Sequence, residues 1–82
     1  TGTLTAGVAI SGITEIVTAG SNADFVYVKN TGSEDVLVTL DNSNDVILLS
    51  EGEAFASEIH VDSNVKVKPV SGASTIEHFS ET

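Results

Sequence analysis

His60 and His78 are the candidate general bases of this 82-residue sequence, the side chains whose charge changes nearest neutrality. Glu58 precedes His60 by two residues, and in an extended strand that spacing sets both on one face, where a carboxylate and an imidazole could polarise a water. No other catalytic apparatus accompanies them. The chain has no Cys, no Gly-x-Ser-x-Gly elbow and no phosphate-cradling loop, so the pair reads as a solvated strand face. The expectation is a protein that is not an enzyme, with no catalytic residue and no cofactor. A two-histidine metal site would need both strands adjacent and in register, which sequence spacing does not supply, and no metal ligand is assigned.

Asp41-x-Ser43-x-Asp45 repeats the one, three, five oxygen spacing with which a calcium loop begins. The loop does not continue. Val46 stands where an EF-hand needs Gly, and Gly52 where it needs the bidentate Glu, so the stretch reads as a hairpin turn held by Asx hydrogen bonds. A different cation site using Asp41, Asp45 and a distant carboxylate stays open as an alternative. Glu51 and Glu53 flank Gly52 and, with Glu58, make the densest acidic patch, fit either for solubility or for docking on a basic surface.

These residues must be carried by one small domain, residues 1–82, with no cysteine to staple it. A chain of this size buries only about 60 to 65% of its unfolded surface, so association with copies of itself or with a larger scaffold is an expected source of stability. Twelve acidic residues stand against three lysines, a formal charge of −9, with no arginine. That balance excludes a nucleic-acid partner and an anionic membrane surface, both of which need clustered cations. A hydrophobic share of 40% argues for a folded module and against an acidic disordered tail. No apolar run approaches the roughly 18 to 20 residues of a membrane span, and residues 1–12 lack the basic and continuous apolar regions of a secretory leader.

Hydrophobic periodicity is close to two almost throughout, and β-branched residues dominate. The expected fold is all-β, an antiparallel β-sandwich of about seven short strands, either immunoglobulin-like or jelly-roll-like. Strands are expected over residues 8–17 with a kink at Gly12, 25–30, 36–40, 46–49, 55–61, 65–68 and 73–79. Val46 to Leu49, continuously apolar, is expected to be covered on both faces. Lys66 and Lys68, followed by Pro69, are expected to guard an exposed sheet edge. Phe25 and Phe55 are assigned to the core, with Tyr27 at its margin. Residues 1–7, small and uncharged, read as an N-terminal arm.

Three segments carry a resemblance: Val28-Lys29-Asn30-Thr31-Gly32, then Val36-Leu37-Val38-Thr39-Leu40-Asp41, then Leu49-Ser50-Glu51-Gly52-Glu53. In this order they resemble small β-sandwich structural proteins of tailed bacteriophages, over about half the chain. Position 51 is Glu51 where that family often has Pro. The resemblance implies a virion structural protein, a capsid decoration (cement) protein on the outer surface of the head, whose partners are the major capsid protein and further copies of itself as a trimer or dimer. A neck or tail subunit is the alternative within that class, and a sugar- or receptor-binding module the alternative outside it. Since loops on a rigid sandwich carry contacts, the expected protein-contact residues are Asn30, Thr31, Gly32, Asp41, Asp45, Glu51, Gly52 and Glu53.

Overall fold

The computed structural model describes residues 2–43 and 46–82. Alternation of β-branched and polar residues produces eight strands in this part of the chain: β1 (Thr5–Ile10), β2 (Thr14–Val17), β3 (Phe25–Asn30), β4 (Val36–Leu40), β5 (Val46–Leu49), β6 (Ala54–Glu58), β7 (Val65–Pro69) and β8 (Ser74–Glu81). They form two antiparallel sheets of four. Sheet A has the order β1-β8-β3-β6 and sheet B the order β2-β7-β4-β5. Successive strands thus pass repeatedly from one sheet to the other, and the order is that of a jelly roll. The all-β sandwich is present.

The expected first strand is two strands. Residues 11–13 break it, and the chain leaves the β8 side of sheet A for the β7 side of sheet B. Residues 5–7, which the sequence reading placed in an opening arm, belong to β1, where Thr5 lies opposite His78.

Inner positions follow strict alternation. Val26 and Val28 of β3, Val36 and Val38 of β4, Val65 and Val67 of β7 and Ile76 of β8 are buried between the sheets, with Ile10, Val17 and Leu49 completing the layer. Phe55 packs against this core from β6. At about 25 cal/mol per Å² of apolar surface buried, such a valine layer is the main term holding two otherwise separate sheets together.

Three expectations about strand placement are corrected. The apolar run of β5 is an edge strand, paired only with β4, and its outward Val46 and Leu48 are 50% and 52% exposed. β7, which carries Lys66 and Lys68, is interior, lying between β2 and β4, so those lysines guard no edge. β6 ends at Glu58, which leaves His60 in the following loop and dissolves the shared strand face of Glu58 and His60. In each case residue pattern does not encode which strands become neighbours.

Candidate functional site

Asn30 ends β3 on the inner parity and is fully buried. A buried amide must find partners for both its donor and its acceptor. Its Nδ2 donates to the carbonyls of Glu34 at 2.7 Å and Leu49 at 2.9 Å, and its Oδ1 accepts from the Gly32 N–H at 3.1 Å and Ser74 Oγ at 2.9 Å. The backbone is used as well. Asn30 N–H donates to the Glu53 carbonyl, and Gly52 N–H donates to the Asn30 carbonyl. One side chain therefore ties β3 to the β3–β4 loop, to the end of β5 and to the start of β8.

Gly32 completes this knot. A Cβ there would collide with Ser74 Oγ and lie 2.6 Å from the Thr75 backbone nitrogen, while the N–H groups of Thr31 and Gly32 both donate to the Thr75 carbonyl. Thr31 is exposed and its Oγ1 reaches Thr75 Oγ1 at 3.1 Å. The structure thus brings Asn30 to Gly32 against Gly52 and Glu53. As a surface contact Asn30 is a correction, because its amide is enclosed and all its hydrogen bonds are internal.

Gly52 has a φ of 83°, the left-handed conformation this turn needs. Glu53 folds back so that its Oε1 accepts from Ser50 N–H at 2.7 Å. Glu51 is exposed.

Asp41 lies at the other end of the sandwich. Asp41 and Asn42 both have positive φ, 55° and 56°, and Ser43 N–H donates to the Leu40 carbonyl, which is a type I′ turn. The Asp41 carboxylate accepts from Asn64 N–H at 3.1 Å and from Ser63 Oγ at 3.2 Å, stitching this turn to the β6–β7 loop. Asp45 lies outside the described residues. Among the described residues no group of three or more His, Cys, Asp or Glu side chains is placed to hold a metal ion.

His60 sits in an exposed loop with Asp62 Oδ2 at 3.7 Å from its Nδ1. His78 lies opposite Val28 on β8, half-buried, and loss of hydration pushes its pKa below the ordinary 6.5. The two histidines are on different elements and share no strand register.

The outward faces differ most from the expected arrangement. Phe25, assigned to the core, is on the outer face of sheet A with Tyr27 and Phe79. The Tyr27 and Phe79 rings stack with centroids 5.2 Å apart, and Phe25 lies 6.0 Å from Phe79. Phe25 alternates with Val26 along β3, and the core takes the valine parity. Tyr27 Oη donates to Glu77 Oε2 at 2.7 Å, and this bond, followed by partial desolvation and the carboxylate charge, raises the tyrosine pKa above 10.0. Register sets Glu58, Glu77 and Glu81 on the same outer parity, against Lys29. At one end Asp24, Phe25, Glu58, Ile59 and Glu81 line an open cleft of about 420 Å³.

The outer face of sheet B has the opposite character. Leu37, Val46 and Leu48 are outward, Ile13 adjoins them at 71% exposure, and Lys66 and Lys68 stand beside them with Glu15. Ile13, Leu37, Val46, Lys66 and Lys68 are among the residues lining a shallow groove of about 380 Å³. Lys66 Nζ donates to Asn42 Oδ1 at 2.8 Å. Among the described residues no lysine comes within ion-pair distance of a carboxylate, although twelve acidic residues are present in the chain.

No family model matches the chain, and no curated protein matches it by sequence. Solved structures do resemble it in fold. A subunit of Bacillus endospore appendages, a family of disulfide-linked pili, superposes with a TM-score of 0.68 at 14% identity, covering 98% of this chain and 80% of that one. PirA gives 0.64 at 10% identity over 98% and 93% of the two chains. A designed double-stranded β-helix gives 0.60 at 13% identity over 99% and 96%. At such identities the likeness is one of fold.

Proposed function

We propose that this chain is a non-enzymatic structural subunit of a repeated surface assembly, and specifically a decoration protein on the outside of a tailed-phage head. The observation that carries the adhesive role is the outer face of sheet B, where exposed Val46, Leu48 and Ile13, with the half-buried Leu37, surround two of the three lysines of a strongly acidic chain. Exposed apolar area of this kind, rimmed by polar groups, marks a contact surface. The phage form rests on the sequence words shared with virion β-sandwich proteins. Net negative charge suits a position outside the shell, away from packaged DNA.

The adhesive mechanism is burial. A small domain that binds only when folded gains stability by mass action from each neighbour it covers. A second reading, a filament subunit, is favoured by the fold likeness to the endospore appendage protein, with the difference that this chain has no cysteine and would assemble without disulfides.

Quantitative mass spectrometry of purified particles from the source, with the major shell protein as reference, tests the reading. Copy numbers in the range of the shell protein itself support head decoration. A copy number lower by an order of magnitude or more moves the chain to neck or tail, and absence from particles overturns the virion form and directs the search to filaments.

A further inference from the structure

The two outward faces are complementary, and they lie on opposite sides of the same sandwich. Sheet A presents three glutamates, Glu58, Glu77 and Glu81, against one lysine, around the Phe25, Tyr27 and Phe79 cluster. Sheet B presents two lysines, Lys66 and Lys68, against one glutamate, around exposed Val46 and Leu48 and the half-buried, outward Leu37. A molecule of net charge −9 thus gathers two of its three cations on one apolar sheet face, without an ion-pair partner among the described residues. Such an arrangement is not needed for folding, since both lysines point away from the core.

We infer that the sandwich stacks head to tail on copies of itself, the sheet B outer face of one copy seating on the sheet A outer face of the next. Lys66 and Lys68 then meet Glu58 and Glu81 of the neighbour, and Leu37, Val46 and Leu48 cover its aromatic cluster. The occupant is a second copy because this chain already carries the matching acidic and aromatic surface. The contact joins unlike faces, so it is heterologous. Faces on opposite sides of one subunit lead to an open stack and not to a closed pair. Complementary charges orient the copies and speed their encounter, while the apolar area supplies the adhesion. The inference goes beyond the proposed function. It is read in solution with no particle present, so its failure leaves the copy-number result untouched.

The test is sedimentation of the purified chain from about 10 μM to about 1 mM, at low and high salt. The expected result is a mean mass that rises with concentration without a plateau at the dimer, and less steeply at high salt. Two charge-reversed chains sharpen it, Lys66→Glu/Lys68→Glu and Glu58→Lys/Glu81→Lys. Each alone weakens association at least about tenfold, because like charges now face each other. An equimolar mixture restores it, because the reversed faces match. Leu48→Ser, at an exposed position, lowers association with the melting transition unchanged and supplies an independent reading if a reversed chain fails to fold. A wild-type chain monomeric at about 1 mM overturns the inference. So does a closed dimer insensitive to both reversals, the result expected of edge-to-edge pairing through β5, and so does a mixture of folded reversed chains that stays monomeric.

Discussion

Asn30 and Leu48 both violate the binary pattern of a sandwich, in opposite senses. Asn30 is an amide with no exposure, Leu48 an apolar side chain 52% exposed. The cost of each is answered in a different place. Four hydrogen bonds within the chain satisfy Asn30, so its burial serves the fold, joining the β3–β4 loop to the end of β5 and the start of β8. Among the described residues none encloses Leu48, which stands on the edge strand β5 beside Leu37. A pattern violation answered internally marks architecture, and one left unanswered marks a surface for something else.

The largest effect belongs to the internal violation. Asn30→Leu keeps the volume but strips the buried Leu49 carbonyl of its amide donor, at about 1 to 3 kcal/mol for a group left unsatisfied, while the Gly32 N–H keeps the Thr75 carbonyl and Ser74 Oγ keeps the Glu34 carbonyl. A loss of about 1 to 3 kcal/mol in urea unfolding is the expected outcome. A loss below about 1 kcal/mol would remove Asn30 from the architecture and erase the contrast with Leu48.

His78 is the intermediate case, a half-buried polar group on the inner parity of β8. Its folded pKa lies below the unfolded value near 6.5, so the unfolded chain takes up the proton first. The stability this contributes is complete above 6.5 and is lost as pH falls through the folded pKa. His78→Gln should therefore flatten the decline of melting temperature on acidification below that point, measured as the difference between the two chains so that shared carboxylate titration cancels. Parallel curves would mean that His78 is hydrated equally in both states.

The smallest effect on stability belongs to the outward violation. Leu48→Thr keeps β-propensity on an exposed edge and is expected to shift unfolding free energy by no more than about 0.5 kcal/mol. Urea unfolding of the dilute chain checks this, and a loss of several kcal/mol would show that Leu48 is part of the monomer's own packing.

Much of the fold is legible in the residues themselves. The alternation Val26, Val28 and then Val36, Val38 specifies period-two strands, and the polar breaks at Asn30-Thr31-Gly32 and Ser50-Glu51-Gly52-Glu53 specify where they end, because only such residues tolerate tight turns. The turn at Asp41 and Asn42 follows equally from residue type. The candidate faces are less legible. Strand alternation says that Phe25 and Val26 point apart but leaves undecided which is inward, and here three outward rings share a face because β8 falls beside β3.

From its own residues, then, the chain determines an acidic all-β sandwich held by valines, since local sterics and periodicity act between neighbours in sequence. Tertiary structure alone decides that Asn30 is enclosed, that β5 lies at an edge and that Lys66 and Lys68 share a bare apolar face. Each of those depends on which strands pair across long loops, a choice settled by the packing of the whole core, where a shift of one strand position exchanges every inner side chain for an outer one.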